Sequence, residues 1–158
     1  MKRIVIDTAT QRLTLYQDGR PVCCYPCSTS RYGTGGAQGS NRTPLGRHVI
    51  AEKYGQDVPL GGVFSSRRYT GQIVPPNRTA IPSGQDLITT RILRLRGLEE
   101  GVNRGGTVDS YRRYIYIHGT PEEGLVGTPA SHGCIRMTNA GIAELYALVD
   151  TGTEVEIL

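Results

Sequence analysis

Tyr116-Ile117-His118-Gly119, and after it Ser131-His132-Gly133-Cys134-Ile135-Arg136-Met137 with the segment to Val149 directly behind, are the residues on which the reading of this chain turns. The β-branched and aromatic run Tyr114 to His118 predicts a strand that ends on a histidine. Behind Met137, Thr138 or Asn139 can cap a helix in which Ile142, Leu145, Tyr146 and Val149 recur at spacings of three and four, with Gly152 as its stop. Cys134 then lies close to a helix N-terminus, where the helix dipole lowers a thiol's pKa. A nearby imidazole, His118 or His132, can hold the thiolate or take its proton. His118, arriving from a separate strand, is the easier base to aim. Gly133 lets a substrate carbonyl approach the backbone, so the amides of Gly133 and Cys134 are candidate oxyanion donors, and Arg136 can clamp a carboxylate. A lone cysteine is by default a buried packing residue, but here a whole string surrounds it.

Working outward, Lys2 to Asp7 alternates around Ile4 and Ile6, and Arg12 to Gln17 sets Leu13 and Leu15 against Thr14 and Tyr16, which predicts two strands. Asp18-Gly19 is a hairpin turn pair, and the return strand would be Arg20 to Ser28 with Pro26 at an edge or bulge. Tyr32 to Ser40, with four glycines, predicts a mobile loop. Thr43-Pro44-Leu45-Gly46 is a turn into a strand from His48 to Ala51. Glu52 to Asp86 is long, irregular and rich in Gly, Pro, Arg and Ser, and belongs to a lid-like connection at about 52–110, interrupted by the strand-like run Leu87 to Leu95. Thr153 to Leu158 alternates as a last strand. The balance is mainly β with one helix, and residues 1–158 form a single domain without repeat or linker.

The 158 residues are 37% hydrophobic and 20% charged, which excludes a disordered chain, and 21 glycines exclude a coiled coil. Eighteen basic against fourteen acidic residues, with no basic run, do not make a nucleic-acid protein. No stretch is apolar enough to span a membrane. Cys23, Cys24, Cys27 and Cys134 are unevenly spaced for a disulfide framework and read as thiols. Cys24-Tyr25-Pro26-Cys27 has no second ligand pair for zinc, so these cysteines read as packing residues. His48 reads as structural. The cluster Arg67-Arg68-Tyr69, with Arg91 and Asn103-Arg104, reads as solvated surface unless an acidic substrate lies under the connection.

At His118 and Ser131 to Arg136 the chain resembles the active-site signature of the L,D-transpeptidase catalytic domain, the YkuD-type family. Thr43-Pro44-Leu45-Gly46 resembles its T-P-x-G turn, and Asn139, Leu145-Tyr146, Val149 and Gly152-Thr153 its C-terminal helix and strand. The spacing from His118 to Ser131 is slightly tighter than in many members, and Arg136 stands where some carry Asn. The resemblance implies an α+β, mainly β sandwich of mixed sheets with one principal C-terminal helix. It implies Cys134 as nucleophile, His118 as base oriented by a backbone carbonyl near Gly119, and a pocket shaped by His132 and Gly133. Substrate contacts fall to Arg136, Ser131 and Tyr116, then Arg67 or Arg68, with no metal or organic cofactor.

The implied reaction is attack on the L,D-amide after the third residue of a peptidoglycan stem tetrapeptide, expelling D-Ala. Carbapenems are expected to acylate the same cysteine, and neither nucleic acid nor membrane is an expected partner. Met1-Lys2-Arg3 runs into Ile4-Val5-Ile6-Asp7 without a signal-peptide core. If Met1 is the native start the expected location is cytoplasmic, and periplasmic if an export signal was removed. That favours water as acceptor, an L,D-carboxypeptidase of muropeptide recycling. The alternatives are a transpeptidase that forms 3-3 cross-links or exchanges D-amino acids, and a non-catalytic peptide- or sugar-binding β domain.

Overall fold

Both central residues of the Asp18-Gly19 turn have positive φ, 50° and 79°, the mirror-image turn whose twist matches a tight hairpin. It joins β2 (Arg12–Gln17) to β3 (Arg20–Pro26), and β2 pairs in turn with β1 (Lys2–Asp7). The computed structural model describes all residues, 1–158. The remaining elements are β4 (Gly46–Tyr54), β5 (Gly62–Ser65), β6 (Arg68–Ile73), β7 (Ile88–Gly97), β8 (Tyr116–Gly119), β9 (Ile135–Met137), α1 (Asn139–Leu148) and β10 (Glu154–Ile157), with one 3-10 turn at Glu123–Leu125.

The strands form one mixed sheet, parallel at β1–β10 and β8–β9 and antiparallel elsewhere. It runs β3-β2-β1-β10-β4-β7 and branches at β7. Ile92 pairs with Tyr54 on one edge of β7 and with His118 on the other, so β4 and β5 share one edge while β8, followed by β9, takes the opposite one. Just past β3, Ser28 exchanges backbone hydrogen bonds of 2.9 and 2.8 Å with Arg136, which returns β9 to the first hairpin. The sheet thereby wraps around a core of Ile4, Ile6, Leu13, Leu15, Leu93, Leu95, Ile117, Ile135 and Met137, into which α1 buries Ile142 and Leu145. Burying an aliphatic side chain of this size contributes about 1.5–3 kcal/mol.

Three expectations need correction. The stretch from Glu52 to Asp86 is only partly irregular: β4 continues to Tyr54 and β5 and β6 form a hairpin, while residues 55–61 and 74–87 hold no strand or helix. All of β6 is exposed and the turn is Ser66-Arg67, so neither alternation nor a glycine marks it. The return strand ends at Pro26, with Ser28 making only its bridge to Arg136. Gly152 does not stop α1, because the chain is already extended at Val149; Gly152, at φ 90°, lies in the turn into β10.

Candidate active site

The site lies on the face of β8 and β9 opposite the core. Ile117 pairs with Ile135 and Gly119 with Met137, while His118 pairs with Arg136. Successive side chains of a strand point to opposite faces. Ile115, Ile117, Ile135 and Met137 therefore enter the core, and Tyr116, His118, Arg136 and, two residues before Arg136, Cys134 share the other face. Cys134 there packs against a small cluster of Phe64, Ile92 and Tyr116.

The Cys134 sulfur is 3.4 Å from the Tyr116 N–H, which donates to it, and 3.3 Å from the Tyr114 carbonyl, to which the thiol donates. Burial pushes the thiol up to about 11, against the opposing pull of the Tyr116 N–H and of Arg136 and Arg113. The helix-dipole expectation fails for a visible reason. β9 separates Cys134 from α1, Thr138 caps the helix through Gly141, and the Asn139 N–H is engaged by Glu123 at 2.8 Å.

His118 is 1% exposed, and its Nδ1 lies 2.6 Å from the Gly119 carbonyl. A carbonyl can only accept, so Nδ1 carries the proton and Nε2 keeps its lone pair. Burial lowers the imidazole to about 4, so at neutral pH a neutral base shares a strand face with a neutral thiol. The arrangement suits general-base removal of the thiol proton during attack rather than a standing ion pair. Gly119 is needed for close approach: a Cβ there would lie 2.6 Å from the Thr89 carbonyl and 2.8 Å from Asn139 Oδ1.

The loop before Cys134 is tied from both sides. Thr43 Oγ1 accepts from Ser30 N–H at 2.9 Å and donates to the Gly133 carbonyl at 3.0 Å, so the T-P-x-G threonine anchors the loop before Cys134. Ser131 Oγ donates to the Cys134 carbonyl and accepts from Gly133 N–H at 3.2 Å. Of the two expected oxyanion donors, Gly133 N–H is thus engaged, while Cys134 N–H has no acceptor within the chain. Gly133 has φ 128°, a conformation that favours glycine.

Arg136 is not a free clamp. It is 2% exposed, with Nη2 2.6 Å from Asp86 Oδ1 and Nη1 3.2 Å from Glu122 Oε1. Burial opposes the charge on Asp86, but the Arg136 hydrogen bond and charge outweigh it and hold the carboxyl below its usual range. The other Asp86 oxygen is 3.3 Å from His132 Nδ1. His132 and Arg136 line a cavity of 340 Å³ with Arg31, Gln85 and Glu122. Arg67 reaches Tyr116 OH at 3.1 Å and lies 5.3 Å from the Tyr114 ring, whereas the Arg68 side chain is exposed and makes no polar contact.

The sequence model of the YkuD family, the L,D-transpeptidase catalytic domain, matches residues 1–157. The chain belongs to this family. Members of the L,D-transpeptidase family are enzymes, and the relatives carry its name. The probable L,D-transpeptidase YbiS of Escherichia coli K12 is 28% identical over 98% of this chain and 44% of its own length. The putative L,D-transpeptidase YkuD of Bacillus subtilis is 38% identical over 60 residues, 35% of this chain and 37% of its own. Among solved structures, L,D-transpeptidase 3 from Mycobacterium tuberculosis, in complex with a faropenem-derived adduct, superposes with a TM-score of 0.60 at 18% identity, covering 99% of this chain and 59% of its own. An L,D-transpeptidase from Mycobacterium smegmatis gives 0.57 at 21% identity, covering 99% and 58%. These likenesses show the same fold, and the chain spans 44% of the length of YbiS.

Within this L,D-transpeptidase domain, sequence reasoning missed Asp86, Glu122, Tyr114 and Arg113. Thr43 stood inside a recognised motif, so a signal existed; Asp86 and Glu122 meet Arg136 only through folding. His48, buried and lowered to about 4 by burial, holds Gly46 O at 3.0 Å and Ser110 Oγ at 2.8 Å. Cys27 is in the core, its thiol pushed up to about 12 by burial, and Cys24 is exposed beside Thr14.

Proposed function

We propose that this domain is a cysteine acyl-transfer enzyme that cleaves the L,D-amide after the third residue of a peptidoglycan stem tetrapeptide, with water as acceptor: an L,D-carboxypeptidase of muropeptide recycling. The observation that carries the chemistry is the sulfur of Cys134, held between Tyr116 N–H and Tyr114 C=O on the same face as a neutral His118 whose Nδ1 is fixed by Gly119. His118 Nε2 takes the thiol proton as sulfur attacks, Cys134 N–H faces the developing oxyanion, and the imidazolium returns the proton to the leaving D-Ala amine.

A second reading, amine as acceptor to give 3-3 cross-links or exchanged D-amino acids, is favoured by the names of the relatives, which are transpeptidases. Incubating the protein with free tetrapeptide separates the two. Tripeptide plus D-Ala is expected; dimers or exchange products alone would overturn the hydrolytic reading. Other L,D-transpeptidases were solved with imipenem, a carbapenem, and with an adduct derived from faropenem, a penem, which supports the expectation that such β-lactams acylate Cys134. A recycling role entails a cytoplasmic location, and recovery of the protein only from the periplasm on cell fractionation would contradict it.

A further inference from the structure

Two cations lie near Cys134: Arg136, on the same face of β9, and Arg113, which directly precedes the Tyr114 whose carbonyl accepts from the thiol. They differ in what else they touch. Arg136 is closed by Asp86 at 2.6 Å and Glu122 at 3.2 Å, so its field at the sulfur is largely cancelled at short range. Arg113 gives Nη2 to the Arg42 carbonyl at 2.6 Å and Nη1 to the Gly35 carbonyl at 3.3 Å, and no carboxylate lies within ion-pair distance. Neutral carbonyls orient a guanidinium without removing its charge, and partial burial limits screening by water.

The Arg42 carbonyl that holds Arg113 is also the nearest backbone neighbour of Gly133, 3.4 Å from where a Cβ would stand. The Tyr114 carbonyl accepts a hydrogen bond from the Cys134 thiol, and Arg113 directly precedes Tyr114. The guanidinium therefore approaches the Gly133-Cys134 loop from both the 35–42 segment and its own strand lead-in. That loop carries the unengaged Cys134 N–H.

We infer that Arg113 is the uncompensated cation that stabilises the negative charge passing from Cys134 Sγ to the carbonyl oxygen during acyl transfer. The inference rests on the proposed Cys134 and His118 chemistry. In the forward step the S–H bond breaks with its proton going to His118 Nε2, the S–C bond forms, and the carbonyl π pair moves onto oxygen. That pair then returns, the C–N bond breaks, and His118 gives its proton to the leaving amine. Sulfur is a neutral thiol at rest, so Arg113 gains its attraction only as charge develops, which raises kcat rather than lowering KM. Asp86, which faces both His118 and Cys134, belongs with Arg136 to the self-cancelling pair.

The test compares Arg113→Met, Arg113→Gln and Arg113→Lys for release of D-Ala from tetrapeptide and for the pH dependence of Cys134 alkylation by iodoacetamide. Met and Gln are expected to lower kcat by about tenfold to a hundredfold with KM little changed. They are also expected to shift the alkylation profile to higher pH, while Lys recovers most of both. An alkylation profile that does not move in a folded Gln or Met variant overturns the inference, whatever happens to kcat, because a purely structural fork would leave the thiol untouched. Cys134→Ser in the same assay separates the two levels: continued D-Ala release defeats the nucleophile assignment itself. An inactive Cys134→Ser beside unaltered Arg113 variants defeats only the role of Arg113.

Discussion

His48 and His118 are two buried strand histidines with almost the same environment and, in the proposed mechanism, opposite uses. Each gives one ring nitrogen to a nearby backbone carbonyl, and burial lowers each to about 4. The difference is the other nitrogen. In His48 it is closed by Ser110 Oγ at 2.8 Å, whereas His118 Nε2 makes no bond and shares a face with Cys134. A displaced pKa does not separate the two; the fixed tautomer with an open lone pair on the face of Cys134 is what supports His118 as the proposed base.

The largest expected effect follows directly. His118→Gln should cost about a hundredfold to ten-thousandfold in kcat/KM, the usual worth of a positioned base. His48→Gln should leave kcat/KM within about twofold and instead lower unfolding free energy by about 1–3 kcal/mol, because Ser110 and Gly46 lose a partner. Chemical denaturation beside D-Ala release measures both, and a His48 variant as inactive as the His118 variant would break the comparison.

A second, smaller effect is shared. Both histidines have folded pKa values below their unfolded value of about 6.5, so the unfolded state binds more protons at acid pH. Their contribution is present above pH 6.5 and is lost as pH falls toward 4, by up to about 3 kcal/mol for each. Either Gln variant should flatten part of that slope. Activity in the wild type is expected to hold from neutral pH down to an acid limb near pH 4, where the His118 lone pair is protonated. A limb near 6.5 would mean that His118 is far more accessible than its burial indicates. The smallest expected change in kcat is for Gly119→Ala, roughly tenfold with KM little altered, because a Cβ 2.6 Å from the Thr89 carbonyl displaces the strand whose carbonyl orients His118 and lowers stability as well; an unchanged kcat in the folded variant would show that the 2.6 Å bond does not matter.

The same contrast explains what could be read in the chain. The β1 to β3 hairpins follow from alternation and Asp18-Gly19, and α1 from Thr138 and its apolar spacing. His118 and Cys134 stood in one string, and folding brings them to one face of β8 and β9. What stayed hidden has no local signal. β9 is three residues, all buried, and reads as a lead-in to the helix. The β5–β6 turn uses Ser66 and Arg67 at positive φ, and β6 has no buried face. Arg136 reads as a substrate clamp from the sequence because its partners, Asp86 and Glu122, lie far away along the chain.

The most direct test of Cys134 as a nucleophile served by His118 is intact-protein mass spectrometry after brief exposure to a carbapenem or to tetrapeptide. One adduct per chain is expected, mapped to Cys134 and absent from Cys134→Ala, with His118→Gln acylating far more slowly and Cys23, Cys24 and Cys27 unmodified. An adduct that persists in Cys134→Ala, or one that forms at the wild-type rate without His118, would contradict the account.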